Sequence, residues 1–280
     1  MALRNHKLIT TNLQLAVMKR EFASLELDAL VKEWQVLVNG RIDQVYQPEA
    51  KEVILQIRKS GGEKTLLRIA PPIAHILSSK PVMPQQIQGF CGFLRKHIGN
   101  VRIFSIVRVP GERVVRIDVT KGAGLRVYIE LYGKGNIILC DEKDVILGVL
   151  EVQAREDQRI APRERYVISG GTDLANVSKE DIGVVMDGKR SVQDALASGL
   201  GIGKVYAKEL CLRSRMDPME KRGDVAELFE AFAQLIREPI DARVVWKDNE
   251  IVDVTPWPLL VYEGLKQEVK PSYDTAVESA

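Results

Sequence analysis

The sequence ELYGKGNIILCDEKDVILGVL, Glu130–Leu150, decides how the middle of the chain folds. It contains two apolar runs, Asn136–Cys140 and Val145–Leu150, and each is long enough for a β-strand. A Gly-Lys-Gly elbow precedes the runs, and a charged turn separates them. Because glycine adopts backbone angles closed to other residues, the elbow predicts a tight turn in a strand–turn–strand unit. Lys134 at its tip has access to phosphate, but a purely structural turn is the favoured interpretation.

Short strand-like segments surround this stretch. They alternate with tight turns and with two amphipathic helices, one that Ser24 can cap and one over Gln85–Ile98. The segments are Arg41–Gln47, Val53–Arg58, Thr65–Ala70, Val101–Val109, Arg113–Thr120, Leu125–Tyr132 and Val145–Val152. This pattern predicts an α+β chain in which a β-sandwich carries two helices.

The chain changes character after its first 172 residues. Residues 173–240 show helical periodicity, and residues 241–265 return to strands around a Lys-Asp-Asn turn. The predicted divisions are a basic extension (1–20), a sandwich domain (21–172), a helical domain (173–240), a β-hairpin segment (241–265) and a final segment (266–280).

Composition indicates an ordinary soluble globular protein. Apolar residues make up 45% of the 280 residues and charged residues 28%. No apolar run approaches the roughly 20 residues that span a bilayer, so no membrane partner is expected. Three widely spaced cysteines, Cys91, Cys140 and Cys211, indicate buried thiols in a cytoplasmic protein and not a disulfide framework or a zinc site.

The charge is unevenly distributed. The net charge is +2, yet residues 80–116 hold seven lysines and arginines against one acid, Glu112. A basic band in a near-neutral chain is the pattern of a polyanion-binding protein, and a solvated surface is the alternative. Four of its residues are candidates for phosphate contacts: Arg95, Lys96, Arg102 and Arg113. We expect them to form one cationic cradle for folded RNA.

The sequence GLGIGKVYAKEL, Gly199–Leu210, matches a helix-hairpin-helix element. Gly201 and Gly203 would let the turn approach a nucleic-acid backbone. The first-turn N–H groups of the next helix, with Lys204 beside them, would then face a phosphate. The alternative is a glycine-rich connection that only packs two helices.

Three further features have both a functional and a structural interpretation. Arg95 and Lys96 lie at a helix C-terminus, which favours cations with or without a ligand. Glu112-Arg113 follows a Pro-Gly turn. The two residues could form a surface ion pair of little energetic value, or the acid could orient the guanidinium for phosphate binding. Glu26 lies in the first turn of a helix, where the helix dipole favours a carboxylate.

Sequence motifs of common enzyme classes are missing. The chain has no Walker loop, HExxH, GxSxG or paired cysteines, and its three histidines lack metal-ligand spacing. We therefore expect a non-catalytic protein that needs no cofactor or metal.

Taken in order, several segments resemble the N-terminal part of the NFACT family of ribosome-quality-control factors, some of which were named fibronectin-binding proteins. The resemblance covers about residues 22–280. Its segments are LELDALVKEWQVLVNGRIDQVYQP, FCGFLRKHIGNVRI, PGERVVRIDV, ELYGKGNIILCDEKDVIL, RERY, the helix-hairpin-helix stretch and VVWKDNEIVDVTPWPL.

The resemblance implies a fold and a role. The fold is a sandwich like the N-terminal domain of formamidopyrimidine-DNA glycosylases, followed by a helix-hairpin-helix domain. The expected partners are tRNA and a large ribosomal subunit obstructed by peptidyl-tRNA. Several members extend the stalled chain without a template, often with alanine. Family members continue into a coiled coil, so residues 266–280 are expected to begin one in a longer protein.

The resemblance also assigns site residues. An Asp-Arg pair that engages tRNA in the family matches Glu112-Arg113, and an acid of the first helix, usually Asp, matches Glu26. Each carboxylate here is one methylene longer, which puts tail synthesis in question more than RNA binding.

Two alternative functions remain open. A DNA glycosylase of related fold would use an N-terminal proline, but this chain begins Met1-Ala2-Leu3. A surface adhesin that binds fibronectin would need a route to the cell surface, and the first 20 residues resemble neither a signal peptide nor an anchor.

Overall fold

The computed structural model describes residues 21–82, 89–120, 124–187 and 190–280. The predicted basic extension, residues 1–20, lies outside the described residues. The described helices are α1 (Ser24–Trp34), α2 (Gly89–Ile98), α3 (Lys179–Met186), α4 (Val192–Gly199), α5 (Gly203–Arg213), α6 (Val225–Arg237) and α7 (Tyr273–Glu278).

The described strands fall into one large sheet and two small ones. The first strands are β1 (Arg41–Tyr46), β2 (Val53–Arg58), β3 (Lys64–Ala70), β4 (Ile73–Leu77), β5 (Arg102–Arg108), β6 (Val114–Thr120), β7 (Leu125–Glu130), β8 (Asn136–Asp141) and β9 (Ile146–Val149). The later strands are β10 (Gln153–Ala154), β11 (Arg159–Ile160), β12 (Arg243–Lys247), β13 (Glu250–Thr255) and β14 (Lys266–Val269).

The large sheet is antiparallel and has nine strands in the order β4-β3-β2-β1-β5-β6-β7-β8-β9. A mixed helix and strand fold is therefore confirmed. The described strands form one continuous sheet, whose halves are hydrogen-bonded at Arg41 and Arg102 at the ends of β1 and β5, and the predicted sandwich arrangement of these halves stays a prediction. The glycosylase likeness stays a prediction.

The opening stretch forms the turn between β7 and β8 and the strands that follow it. Gly133 and Gly135 have φ values of 56° and 62°, which confirms the predicted tight turn. A Cβ at Gly135 would lie 2.2 Å from Pro71 Cβ, in the turn between β3 and β4. The two halves of the sheet therefore approach each other at these turns.

The sheet is covered on both faces near β8. Ile137 and Leu139 belong to the main core with α1 and α2, whereas Ile138 and Cys140 pack with Tyr166 on the opposite face. Because both faces are buried, the sequence of β8 is a continuous apolar run and does not alternate between apolar and polar residues. The predicted burial of all three cysteines is confirmed, and burial raises the pKa of the Cys211 thiol to about 11.

The last 15 residues fold onto the rest of the chain. The sequence suggests the start of a coiled coil here, but β14 pairs with β12 in a three-stranded sheet and α7 packs against α1 and β4. Glu33 of α1 accepts hydrogen bonds from the backbone N–H groups of Tyr273 and Asp274, at 2.8 and 2.9 Å. The predicted domain boundaries stay predictions.

Candidate functional site

A cleft of about 540 Å³ lies where three distant parts of the chain meet. The N-terminus of α1 forms one side, the turn between β5 and β6 a second, and the turn between α4 and α5 a third. Six of the nine predicted site residues line it: Glu26, Glu112, Arg113, Gly201, Gly203 and Lys204. We refer to it below as the cleft.

The turn between α4 and α5 presents a helix N-terminus to the cleft. Gly201 and Gly203 have φ values of 69° and 78°, which L-residues with side chains rarely adopt. Helix α5 begins at Gly203, and among the described residues no side chain caps its N-terminus. Its first N–H groups are therefore available to an anion, with the exposed Lys204 beside them.

Arg113 lies on the opposite side of the cleft. Its Nη1 donates to Glu21 Oε2 at 2.7 Å and to the Phe22 carbonyl at 3.5 Å. Its guanidinium carbon is 5.9 Å from the centroid of the Tyr132 ring. One third of the Arg113 side chain is exposed, so the guanidinium can exchange the exposed Glu21 for an external anion.

A buried network holds Tyr132 from behind. Arg155 donates to the Tyr132 hydroxyl at 3.0 Å and to both oxygens of the fully buried Glu130, at 2.9 and 2.5 Å. Tyr166 also donates to Glu130, at 2.9 Å. Burial raises the pKa of Tyr132, so its hydroxyl stays protonated. The ring is thereby fixed where Arg113 stacks on it.

Glu26 lies at the floor of the cleft and is 2% exposed. Its carboxylate accepts hydrogen bonds from the Ala23 backbone N–H at 2.8 Å and from the Tyr206 hydroxyl at 3.1 Å. Ser24 does not cap α1, because Ala23 holds that position, and its hydroxyl instead donates to the Gly201 carbonyl at 3.0 Å. These bonds tie the start of α1 to α5.

The cleft carries charges of both signs. Arg113 and Lys204 face four lining carboxylates, Glu21, Glu26, Glu112 and Asp253. Burial raises the pKa of Glu112, as does the nearby Glu130, and Arg113 opposes both effects. The expected cationic cradle is therefore corrected to a mixed-charge cleft.

The remaining predicted cations do not line the cleft. Arg95 donates to the Val45 carbonyl at 2.7 Å because α2 packs on β1, and Lys96 is exposed on the same helix. Arg102 donates to the Asn39 carbonyl at 3.0 Å at the start of β5. Their role in RNA binding stays a prediction.

The sequence comparison with protein families matches nearly the whole described chain. The family model described as NFACT N-terminal and middle domains covers residues 24–279. The chain belongs to the NFACT family. The resemblance inferred from the sequence is thereby confirmed.

Similar NFACT proteins carry names that refer to ribosome quality control. The archaeal Rqc2 homolog aRqcH of Methanocaldococcus jannaschii is 30% identical over 93% of this chain and 42% of its own length. The human ribosome quality control complex subunit NEMF is 31% identical over 53% of this chain and 14% of its length. The present chain thus spans less than half of either relative.

Two solved structures share the NFACT fold seen here. The N-terminal part of the fibronectin/fibrinogen-binding protein from Streptococcus suis has a TM-score of 0.77 at 19% identity, covering 92% of this chain and 98% of that one. The fibrinogen-binding protein from Staphylococcus aureus has a TM-score of 0.73 at 18% identity, covering 91% and 97%. At these identities the likeness concerns the fold alone.

The NFACT cleft contains residues that sequence reasoning missed. Tyr132, Tyr206 and Asp253 line it, and Ser24 joins its two sides. Tyr132 lies within the opening stretch, where its place directly before the Gly-Lys-Gly elbow was the available signal. Within the described ranges, no helix is long and apolar enough to cross a membrane, and no cluster of His, Cys, Asp and Glu is suited to a metal ion.

Proposed function

We propose that this NFACT chain is the tRNA-binding part of a ribosome-quality-control factor that acts on large ribosomal subunits obstructed by peptidyl-tRNA. Family membership and the names of the relatives support the role in quality control. The observation that carries the proposal is the cleft, which joins Glu112-Arg113 to the N-terminus of α5. The α4–turn–α5 unit acts in it as a helix-hairpin-helix element.

The mixed charge of the cleft suits single-stranded RNA. The three lining carboxylates that are at least partly exposed, Glu21, Glu112 and Asp253, repel a continuous phosphate backbone, but they accept hydrogen bonds from base amines and 2′-hydroxyls. Arg113, Lys204 and the first N–H groups of α5 bind a phosphate of the same segment. A volume of about 540 Å³ lies in the range of sites that enclose one small ligand. The unpaired nucleotides of a tRNA loop fit these requirements.

The proposed role is non-catalytic. The cleft holds tRNA in a defined position, and positioning alone accelerates a reaction whose chemistry the ribosome supplies. Extension of the stalled chain with alanine would use this positioning. The longer carboxylates of Glu26 and Glu112 leave RNA binding intact and make the efficiency of extension a separate measurement.

The test is a polarisation assay with labelled tRNA. Arg113→Ala should weaken binding roughly tenfold to a hundredfold, and Lys204→Ala should lower the slope of log affinity against log salt by about one. Arg159→Ala, an exposed arginine that does not line the cleft, is the matched control. If the two cleft variants bind like the control, the cleft is not the tRNA site.

Sequencing the RNA that co-purifies with the chain identifies the partner. A tRNA species enriched with the wild type and lost with Arg113→Ala supports the proposal. Enrichment that is unchanged by the substitution removes Arg113 from the site. A chain that enriches no tRNA but binds immobilised fibronectin would favour the adhesin alternative.

A further inference from the structure

Four basic residues lie in a row across neighbouring strands of the large sheet. Lys64 of β3 pairs with Arg58 of β2, Arg58 pairs with Arg41 of β1, and Arg41 pairs with Arg102 of β5. Directly paired residues of antiparallel strands project from the same face of a sheet. We call these four residues the basic row. At about 4.8 Å per strand, it is roughly 14 Å long.

The basic row faces away from the main core. Ile42, Ile57 and Ile103, each next to a member of the row, point to the opposite face and are fully buried. The Arg41 and Arg58 side chains are 48% and 40% exposed. The row is therefore a surface feature with access to a large partner.

Folding alone does not favour this arrangement. Like charges placed directly opposite on neighbouring strands destabilise a sheet. Asp43 relieves part of this repulsion, because it pairs with Arg41 at 3.2 Å and with Arg58 at 2.6 Å. Among the described residues that line the surface around Arg41 and Arg58, Asp43 is the single carboxylate. The row thus retains a net positive charge that an external anion would compensate.

Further donors surround the basic row. Lys80 and Arg95 each lie 5.7 Å from the centroid of the Tyr46 ring, on the strand that carries Arg41. The amides of Gln44 and Asn100 line the same surface. Within the described chain, the buried Nε of Arg58 has no hydrogen-bond partner. The surface therefore carries further polar donors beside the cations of the row.

We infer that the basic row binds the phosphate backbone of double-helical RNA. A row of cations across neighbouring strands can contact successive phosphates of one RNA strand and reads no sequence. Amide donors beside it suit 2′-hydroxyls, which distinguish RNA from other polyanions. The inference rests on the proposed function for the choice of RNA, and it concerns a surface separate from the cleft, which suits unpaired nucleotides.

The probe is a blunt RNA duplex of about 20 base pairs without a loop, at several salt concentrations. The row variant is Arg41→Gln/Lys64→Gln/Arg102→Gln, in which Arg58 still pairs with Asp43. Loss of three phosphate contacts should lower the salt slope by about two to three and weaken binding roughly 100-fold at 0.1 M salt.

The control variant removes three exposed cations outside the row, Arg159→Gln/Lys221→Gln/Arg222→Gln. It should bind the duplex within about threefold of the wild type, since it changes only the net charge. The melting temperature of the row variant should equal or exceed that of the wild type, because repulsion is removed. A melting temperature that is equal or higher would exclude misfolding as the cause of a weaker affinity.

Four outcomes decide the inference. A large loss in the row variant alone supports it. Equal losses in both variants, or a wild type that does not bind the duplex, overturn it. The inference also falls if the row variant releases vesicles of phosphatidylserine but not the duplex.

The two sets of variants distinguish a wrong inference about the basic row from a wrong assignment of the cleft. Arg113→Ala should weaken tRNA binding and leave duplex binding unchanged. If the row variant is normal while Arg113→Ala weakens tRNA binding, the inference alone is lost. If Arg113→Ala has no effect while the row variant loses the duplex, the cleft assignment alone is lost.

Discussion

Replacing Asp274 by asparagine should remove a pH-dependent loss of stability. Asp274 lies in α7 and is 5% exposed. Its Oδ1 accepts hydrogen bonds from Trp34 Nε1 at 2.9 Å and from the Ile76 backbone N–H at 2.6 Å. Burial, with a smaller contribution from the neighbouring Glu33, raises the pKa of Asp274 from an ordinary value of 3.8 to about 8. Between these two pKa values, the native state therefore holds a proton on this carboxyl, whereas the unfolded chain releases it.

The sign and size of the effect follow from proton linkage. Because the native state binds this proton more tightly, the carboxyl contributes most stability below pH 4. Its contribution is lost as the pH rises toward 8, at about 1.4 kcal/mol per pH unit. Between pH 5 and pH 7 the wild type should lose about 3 kcal/mol relative to Asp274→Asn. Asparagine keeps the Oδ1 acceptor for Trp34 and Ile76 and has no titrating proton.

The assay is urea unfolding at pH 5, 6, 7 and 8, followed by far-ultraviolet circular dichroism. The difference in unfolding free energy between Asp274→Asn and the wild type should grow in favour of the variant as the pH rises. Asp157→Asn, on an exposed position, is the control and should run parallel to the wild type. Parallel curves for Asp274→Asn as well would show that the buried carboxyl does not hold its proton.

Two further substitutions test the packing around the cleft and the sheet. Glu26→Ala should cost about 3 kcal/mol of unfolding free energy, because the buried Tyr206 hydroxyl loses the acceptor at 3.1 Å; weaker tRNA binding at unchanged stability would instead make Glu26 an RNA contact. Gly148→Ala should cost about 1–3 kcal/mol, measured as a lower urea midpoint, because its Cβ would lie 2.3 Å from Phe93 Cε1. The same substitution in a Phe93→Ala background should cost much less, and an equal cost there would contradict the proposed clash.

Local pattern located the strands but not their assembly. Val53–Arg58 was predicted as a strand with the observed bounds, and the apolar run from Asn136 was placed correctly. β4, Ile73–Leu77, was missed because it is a five-residue run between two prolines and two serines. Whether the halves form one sheet or two depends on the pairing of Arg41 with Arg102, a contact across 61 residues that periodicity does not encode.

The candidate site was predicted only in part, because local sequence pattern does not encode tertiary contacts. Turn chemistry identified Gly201 and Gly203, and the resemblance identified Glu112 and Arg113, so separate segments of the cleft were found. A sum of charges along residues 80–116 could not show that its cations point to different surfaces. That division follows from α2 packing on β1 and from the register of β5, which are tertiary facts.

If both proposals hold, the geometry of β5 decides which RNA could contact both surfaces. Arg102 begins the strand, and the turn that carries Arg113 follows its other end. Seven residues at about 3.4 Å each place the basic row and the cleft roughly 24 Å apart along β5. Among the described lining residues, the surface of the row has cations with a single interspersed carboxylate, whereas the cleft has carboxylates with two cations and a helix N-terminus. A uniform RNA helix would be repelled at the cleft, and an unpaired segment would gain little from a row of cations spaced across strands. An RNA that satisfies both proposed surfaces must therefore present paired and unpaired nucleotides within roughly 24 Å, which a folded RNA with a stem and a loop does and a plain duplex does not.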